Sequence, residues 1–206
     1  MKIAIPQIVG ATIKDLQNYE DENVYNAKFV NSNKHVCLKG VTFKKCIFEN
    51  IDFSNFEVDH LDFVDVILKN CDLSNIRFDN CFLNRVSFEN CKMLGTSFID
   101  ASLRDISFKS CLTKYLNFAD AKLSSVSFEN SEFISSTFQN TALKNFHLEK
   151  VNLTKSEFIH TPLKDVDLST SEIVGVTFDF ESLHGAYVDV LQCSTLISML
   201  GVKIKE

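Results

Sequence analysis

After Asn70, counted in fives, the chain reads CDLSN, IRFDN, CFLNR, VSFEN, CKMLG, TSFID, ASLRD, ISFKS, with a large apolar residue at the middle of each five and mostly polar residues around it. The middle residue is Leu, Phe or Met, and two places before it stands Cys, Ile, Val, Thr or Ala. In this register every fifth residue from Leu38 to Val188 is large and apolar, with Thr113 the one exception. A helix repeats at about 3.6 residues and a flat strand at about 2, so neither accounts for a period of five. A short fixed repeat predicts a solenoid.

The central positions sort further by type. Phe78, Phe98, Phe118, Phe138, Phe158 and Phe178 form one series, and Leu83, Leu103, Leu123, Leu143, Leu163 and Leu183 form the next. Residues one full coil apart therefore stack, four fives make a coil, and the coil is four-sided. Gly10, Gly40, Gly95, Gly175 and Gly185 fall two places after a central position, where Asn and Asp are also common. A corner needing φ > 0 or an Asx-type bond selects those residues. This is the pentapeptide-repeat pattern, and it resembles the all-β, right-handed quadrilateral parallel β-helix of that family, here of about eight coils. The central side chain and the small residue two before it are expected to point inward. Coils stacked about 4.8 Å apart pair like parallel strands and leave an open edge at each end that needs a cap.

The chain divides into a capping segment and irregular first coil (1–35), the regular β-helix (36–190) and a C-terminal cap (191–206). Ile3, Ile8 and Ile13 keep the register and predict a partial coil or capping strand. LQNYEDEN at 16–23 is polar and acidic and predicts a turn or short helical loop. AKFVN at 27–31 is shifted by one residue, so SNKHV must hold a bulge or loop. Pro162 removes one inter-coil donor unless that position faces solvent. At Thr113 the expectation is a local bulge that swaps in and out, with Leu112 or Leu116 filling the space. Asp189 can cap a short helix running to about Leu200, stopped by Gly201, and Val202 to Lys205 reads as a short strand.

Net charge is −6 with a pI near 5.4, which argues against binding nucleic acid through phosphate neutralisation. There is no apolar run of about 18 residues and no signal-peptide pattern, so no membrane is implied. Cys46, Cys71, Cys81, Cys91 and Cys111 occupy the small inward slot and read as reduced thiols used as small hydrophobes, which implies a cytoplasmic protein. His35, His60, His147, His160 and His184 are scattered, and no nucleophile triad, phosphate loop or CxxC is present. The expectation is a protein with no catalytic residues, no cofactor and no metal.

The ending LHGAYVDVLQCSTLISMLGVKI is similar to the C-terminal segment of the Qnr proteins at Leu183, Gly185, Asp189, Gln192, Leu196, Leu200, Gly201 and Ile204. With no insertion loops between coils, the resemblance is to loop-free Qnr members from Gram-positive bacteria and to MfpA. It implies a homodimeric rod that binds DNA gyrase and topoisomerase IV and protects them from quinolones. The dimer contact would involve Leu191, Leu196, Ile197, Met199 and Leu200. The partner surface would be the acidic face of Glu57, Asp59, Asp79, Asp100, Asp120, Glu157 and Asp179, which carries only Lys39 and Arg77 as cations. The Leu-column face is basic, with Lys44, Lys45, Arg85, Arg104, Lys122, Lys144 and Lys164. A second candidate surface is the apolar cluster of Leu94, Leu112, Tyr115 and Ile134. The alternative function is a scaffold of the same fold with a different partner.

Overall fold

The computed structural model describes residues 3–199 and 201–203. The chain forms a parallel β-solenoid of about eight turns closed by one short helix. Its first strands are β1 (Thr12–Ile13), β2 (Tyr19–Glu20), β3 (Asn23–Tyr25), β4 (Ala27–Ser32), β5 (Cys37–Ile51) and β6 (Glu57–Lys69). After these come β7 (Phe82–Glu89), β8 (Ser102–Lys109), β9 (Lys122–Glu129), β10 (Ala142–Glu149), the short β11 (Glu157–Phe158) and β12 (Thr177–Phe178), and the helix α1 (Val190–Met199). The long sheet runs β1-β4-β5-β6-β7-β8-β9-β10, every pair parallel. Pairing Leu83 with Leu103 and Leu103 with Leu123 makes a coil 20 residues long.

The five-residue period arises at the corners. Asn70, Asn75, Asn80, Arg85 and Asn90 have φ of 51°, 61°, 58°, 52° and 53°, one left-handed residue per side. Asn tolerates this conformation because its side chain bonds locally, and glycine because it has no Cβ. At Gly95 (φ +68) a Cβ would also sit 2.8 Å from Asn75 Oδ1 on the coil below. Between corners the central residue and the small one two before it turn inward. From Leu38 to Leu168 almost all central side chains are fully buried. The Phe series stacks ring on ring, with centroids 5.2, 5.1, 5.0, 4.5 and 5.7 Å apart from Phe78 to Phe178. Ring stacking at the strand spacing satisfies both the π geometry and the backbone ladder.

Most small polar residues fit the inner slot because their hydroxyls bond to the backbone there, Ser171 being an exception whose buried hydroxyl has no partner. Thr96, Thr141 and Ser156 donate to the carbonyls of Leu73, Phe118 and Phe133. The Cys71, Cys91 and Cys111 thiols make the same contact with Phe48, Leu68 and Phe88. All seven cysteines are free.

Several expectations are corrected. Residues 16–23 are not helical: Leu16, Tyr19 and Val24 are buried, and β2 and β3, on either side of the left-handed corner at Asp21, pair with β5 as two successive sides of the first coil. The apolar spacing wins over the acidic composition there. Ile13 is 73% exposed, because β1 pairs Thr12 with inward Ala27 and so sets Ile13 beside outward Lys28. Residues 4–7 do not cap the rod but run along its side. Gln7 N–H donates to Asp65 at 2.9 Å and Ala4 N–H to Asp105 at 3.3 Å. Asp65 and Asp105 lie two coils apart, about 10 Å, which three extended residues span.

The segment SNKHV contains a loop, as expected, at 33–36, and the chain between β4 and β5 is one residue short: Phe29 pairs with Phe48 and Leu38 with Val58. Thr113 causes no bulge. It is fully buried, in register, and its hydroxyl bonds to the Glu132 carbonyl, while large Leu116 fills the adjacent small slot. After β10 the sheet stops at the coil carrying Pro162, which faces solvent and has no N–H to donate.

Candidate protein-interaction surfaces

The seven acidic residues occupy three neighbouring columns at one edge of the rod, and the wall treats them differently. Asp79 is folded into the wall. Arg77 holds it at 2.8 Å, Ile99 N–H donates to it at 3.0 Å, Ser97 bonds to it, and its side chain is only 13% exposed. Asp179 accepts from the Ser182 hydroxyl at 2.7 Å and from His160 N–H, which together hold its carboxyl down to about 2. Glu57 lies 3.5 Å from His35. Asp59, Asp100, Asp120 and Glu157 are exposed, with Asp100 and Asp120 at corners of φ 55° and 59°.

The basic face is likewise partly used up internally. Arg85 grips Asp65 with two bonds, at 2.6 and 2.7 Å, which holds the Asp65 carboxyl below the usual range. Arg104 lies 3.7 Å from Asp105, and Lys44 sits over the Tyr25 ring at 5.4 Å. Lys45, Lys122, Lys144 and Lys164 project outward. Leu94 and Ile134 share a column on either side of Lys114, while Leu112 is 37% and Tyr115 64% exposed beside them.

At the C-terminal end Asp189 caps α1, and Gln192 is buried under the helix. Leu196 packs on the solenoid core, whereas Val190 and Leu191 stand out at 86% and 82% exposure and Ile197 at 39%. Leu200 and the Met199 side chain lie outside the described residues, as do Ile204 and Lys205 of the strand expected over Val202 to Lys205; neither Val202 nor Lys203 is in a strand. Phe180 and Tyr187, on the last coil, add further exposed apolar surface.

One cluster escaped the reading of histidines by column. His60, Asp62 and Cys81 bring their ligand atoms within 4.8 Å of one another. The signal was present, since Cys81 stacks one coil after Leu61, between His60 and Asp62. Among the described residues no helix is long and apolar enough to cross a membrane.

The family models that match are "Pentapeptide repeat region", over residues 41–118 and 61–134, and "Pentapeptide repeats (8 copies)", over 131–169. No curated protein gives a significant sequence match. Among solved structures, full-length QnrB1, described as a plasmid-mediated fluoroquinolone resistance protein, is 20% identical with a TM-score of 0.38, covering 93% of this chain and 100% of that one. HetL, from the cyanobacterium Nostoc, is 15% identical with a TM-score of 0.36, covering 84% and 88%. A thylakoid-lumen pentapeptide repeat protein of Arabidopsis thaliana is 27% identical with a TM-score of 0.36, covering 47% and 63%.

Proposed function

Because the chain belongs to the pentapeptide-repeat family, we propose that it is a non-enzymatic, cytoplasmic protein-binding rod that engages DNA gyrase and topoisomerase IV and protects them from quinolones. The observation that carries this reading is the form of the acidic edge. Asp59, Asp100, Asp120 and Glu157 are exposed on a solenoid whose bridges keep one phase from Asp52 to Tyr187. Such an edge presents carboxylates along the length of the rod to a basic, DNA-binding surface, without binding nucleic acid itself. Duplex of the same length carries about 22 charges, at one per ~1.7 Å, so shape and side-chain contacts supply most of the specificity. The outward Val190, Leu191 and Ile197 at one end support a homodimer, which doubles the length of the rod.

A supercoiling assay with purified gyrase and ciprofloxacin tests this. Excess protein restores supercoiling if the reading is right. Full inhibition by the drug favours the second reading, a scaffold with another partner, for which the exposed Leu112 and Tyr115 provide the surface.

A further inference from the structure

We propose that His60, Asp62 and Cys81 form a binding site for a zinc-class divalent metal at one corner of the rod, joining two successive coils. The site pairs a nitrogen, an oxygen and a sulfur donor, the mixed set that borderline-soft zinc takes in preference to magnesium or calcium. His60 Nε2 lies 3.6 Å from Asp62 Oδ2, and all three donor atoms fall within 4.8 Å of one another. Tetrahedral zinc, with bonds of about 2.0–2.3 Å, holds its ligands roughly 3.4–3.6 Å apart. The nitrogen–oxygen pair is already at that spacing. The pairs that involve the Cys81 sulfur, all within 4.8 Å, need to close by no more than about 1 Å, which small side-chain rotations at this exposed corner supply.

Two of the three donors are also oriented from behind. Asp62 Oδ1 accepts the Phe82 N–H at 2.6 Å, which leaves Oδ2 turned toward His60. Cys81 Sγ accepts the Leu61 N–H at 3.3 Å, the bond that stabilises a metal thiolate. Backbone bonds of this kind, made to the ligand groups themselves, fix their geometry and tune their basicity. The fold generates them without a dedicated loop: 60–62 and 81–82 are the same corner on stacked coils, and there the Asp62 carboxylate and the Cys81 sulfur take backbone N–H groups in place of the inter-coil ladder, which resumes at Phe63 and Leu83. When the metal binds, the Cys81 proton leaves to solvent, a metal–sulfur bond replaces the S–H bond, and water takes the open fourth position. The metal then ties β6 to the coil above it at the acidic edge, next to Asp59. Nothing in this inference depends on the topoisomerase reading.

The test is a cobalt(II) titration of the full chain, carried in a Cys37→Ser/Cys193→Ser background that removes the two accessible thiols. One equivalent per chain should produce tetrahedral visible bands and a near-ultraviolet thiolate-to-cobalt band, and zinc should displace both. Cys81→Ser should abolish the thiolate band, and His60→Asn should weaken binding more than about tenfold. Both replacements occur at equivalent slots elsewhere in the rod, Ser131 and Asn80 among them, so the fold should tolerate them. Zinc should also raise the melting temperature of the background protein but not of Cys81→Ser. A background protein with no stoichiometric thiolate band overturns the proposal, and so does a band that survives Cys81→Ser.

Discussion

Asp189 and Gln192 hold each other across the first turn of α1. Gln192 N–H donates to Asp189 Oδ1 at 2.7 Å, and Asp189 N–H donates to Gln192 Oε1 at 3.0 Å. This is a capping box. The amide of the same Gln192 donates to the Leu168 and Ser171 carbonyls, both at 2.8 Å, so the helix start is stitched to the last coil. Asp189→Ala should therefore cost about 1 kcal/mol. Gln192→Leu, which leaves two carbonyls without their donor, should cost about 1–3 kcal/mol. Denaturant melts that leave Gln192→Leu level with wild type would mean that the helix does not close the rod.

The second prediction concerns the Phe stack. Phe118 is fully buried between Phe98 and Phe138, at 5.1 and 5.0 Å, and Phe118→Ala should cost about 3–5 kcal/mol. Phe82, 41% exposed on the outer surface, should cost under about 1 kcal/mol on the same change. Equal losses would mean that inward and outward are not what holds the coil together.

This contrast also shows where the sequence was legible. Between Leu38 and Val188 one rule, inward every fifth residue, decides burial, because each coil faces the same neighbours as the last. Tyr19 and Ile13 escaped the rule: the first coil is one residue shorter, and its edge has no partner below to fix the phase. Thr113 obeys the rule where a bulge was expected, since a carbonyl on the next coil satisfies its hydroxyl. The acidic edge was read as charge alone. Composition could not say that Asp79 turns into the wall toward Ser97 and Ile99 while Asp100 does not. Such differences depend on side-chain direction at the corner, which a five-residue pattern leaves open.

Acid should weaken the rod through particular carboxylates. Asp179 is held down to about 2 by the Ser182 hydroxyl and His160 N–H, and Asp65 is lowered chiefly by Arg85. A carboxyl depressed in the fold contributes stability that is complete above its unfolded value, about 3.9, and is lost as pH falls through its folded value. Asp179→Asn should thus melt lower near neutral pH and show a shallower decline below about pH 4. A variant whose melting temperature falls as steeply with acid as that of wild type would remove Asp179 from the account.

Self-association through the end of the rod calls for mutations that spare the cap. Leu196 packs on the core and Gln192 stitches the helix down, so neither is a clean probe. Leu191→Asp with Ile197→Asp charges the outward side instead. In sedimentation this double variant should be monomeric, with a melting curve close to that of a wild-type monomer. A dimer of unchanged affinity would place the contact elsewhere.

The acidic edge ties charge to function, and Asp100 and Asp120 are the residues with which to test it. Both are exposed at corners, whereas reversing Asp79 would also break its bonds to Arg77, Ser97 and Ile99. Lysine is acceptable at a left-handed corner, since Lys45, Lys150 and Lys155 already adopt φ of 56°, 53° and 60°. Asp100→Lys with Asp120→Lys should therefore leave the fold nearly unchanged, as exposed charges contribute little to stability. Association with gyrase should slow and weaken, and binding of the wild type should fall as salt rises, because exposed charges are screened within about 8–10 Å. The matched control reverses Lys122 and Lys144 to Glu on the basic face, where little change is expected. If both double variants bind gyrase as wild type does, charge complementarity is the wrong account. Tyr115→Ala and Leu112→Ala then become the decisive variants, because those side chains are the exposed apolar surface on a different face of the rod.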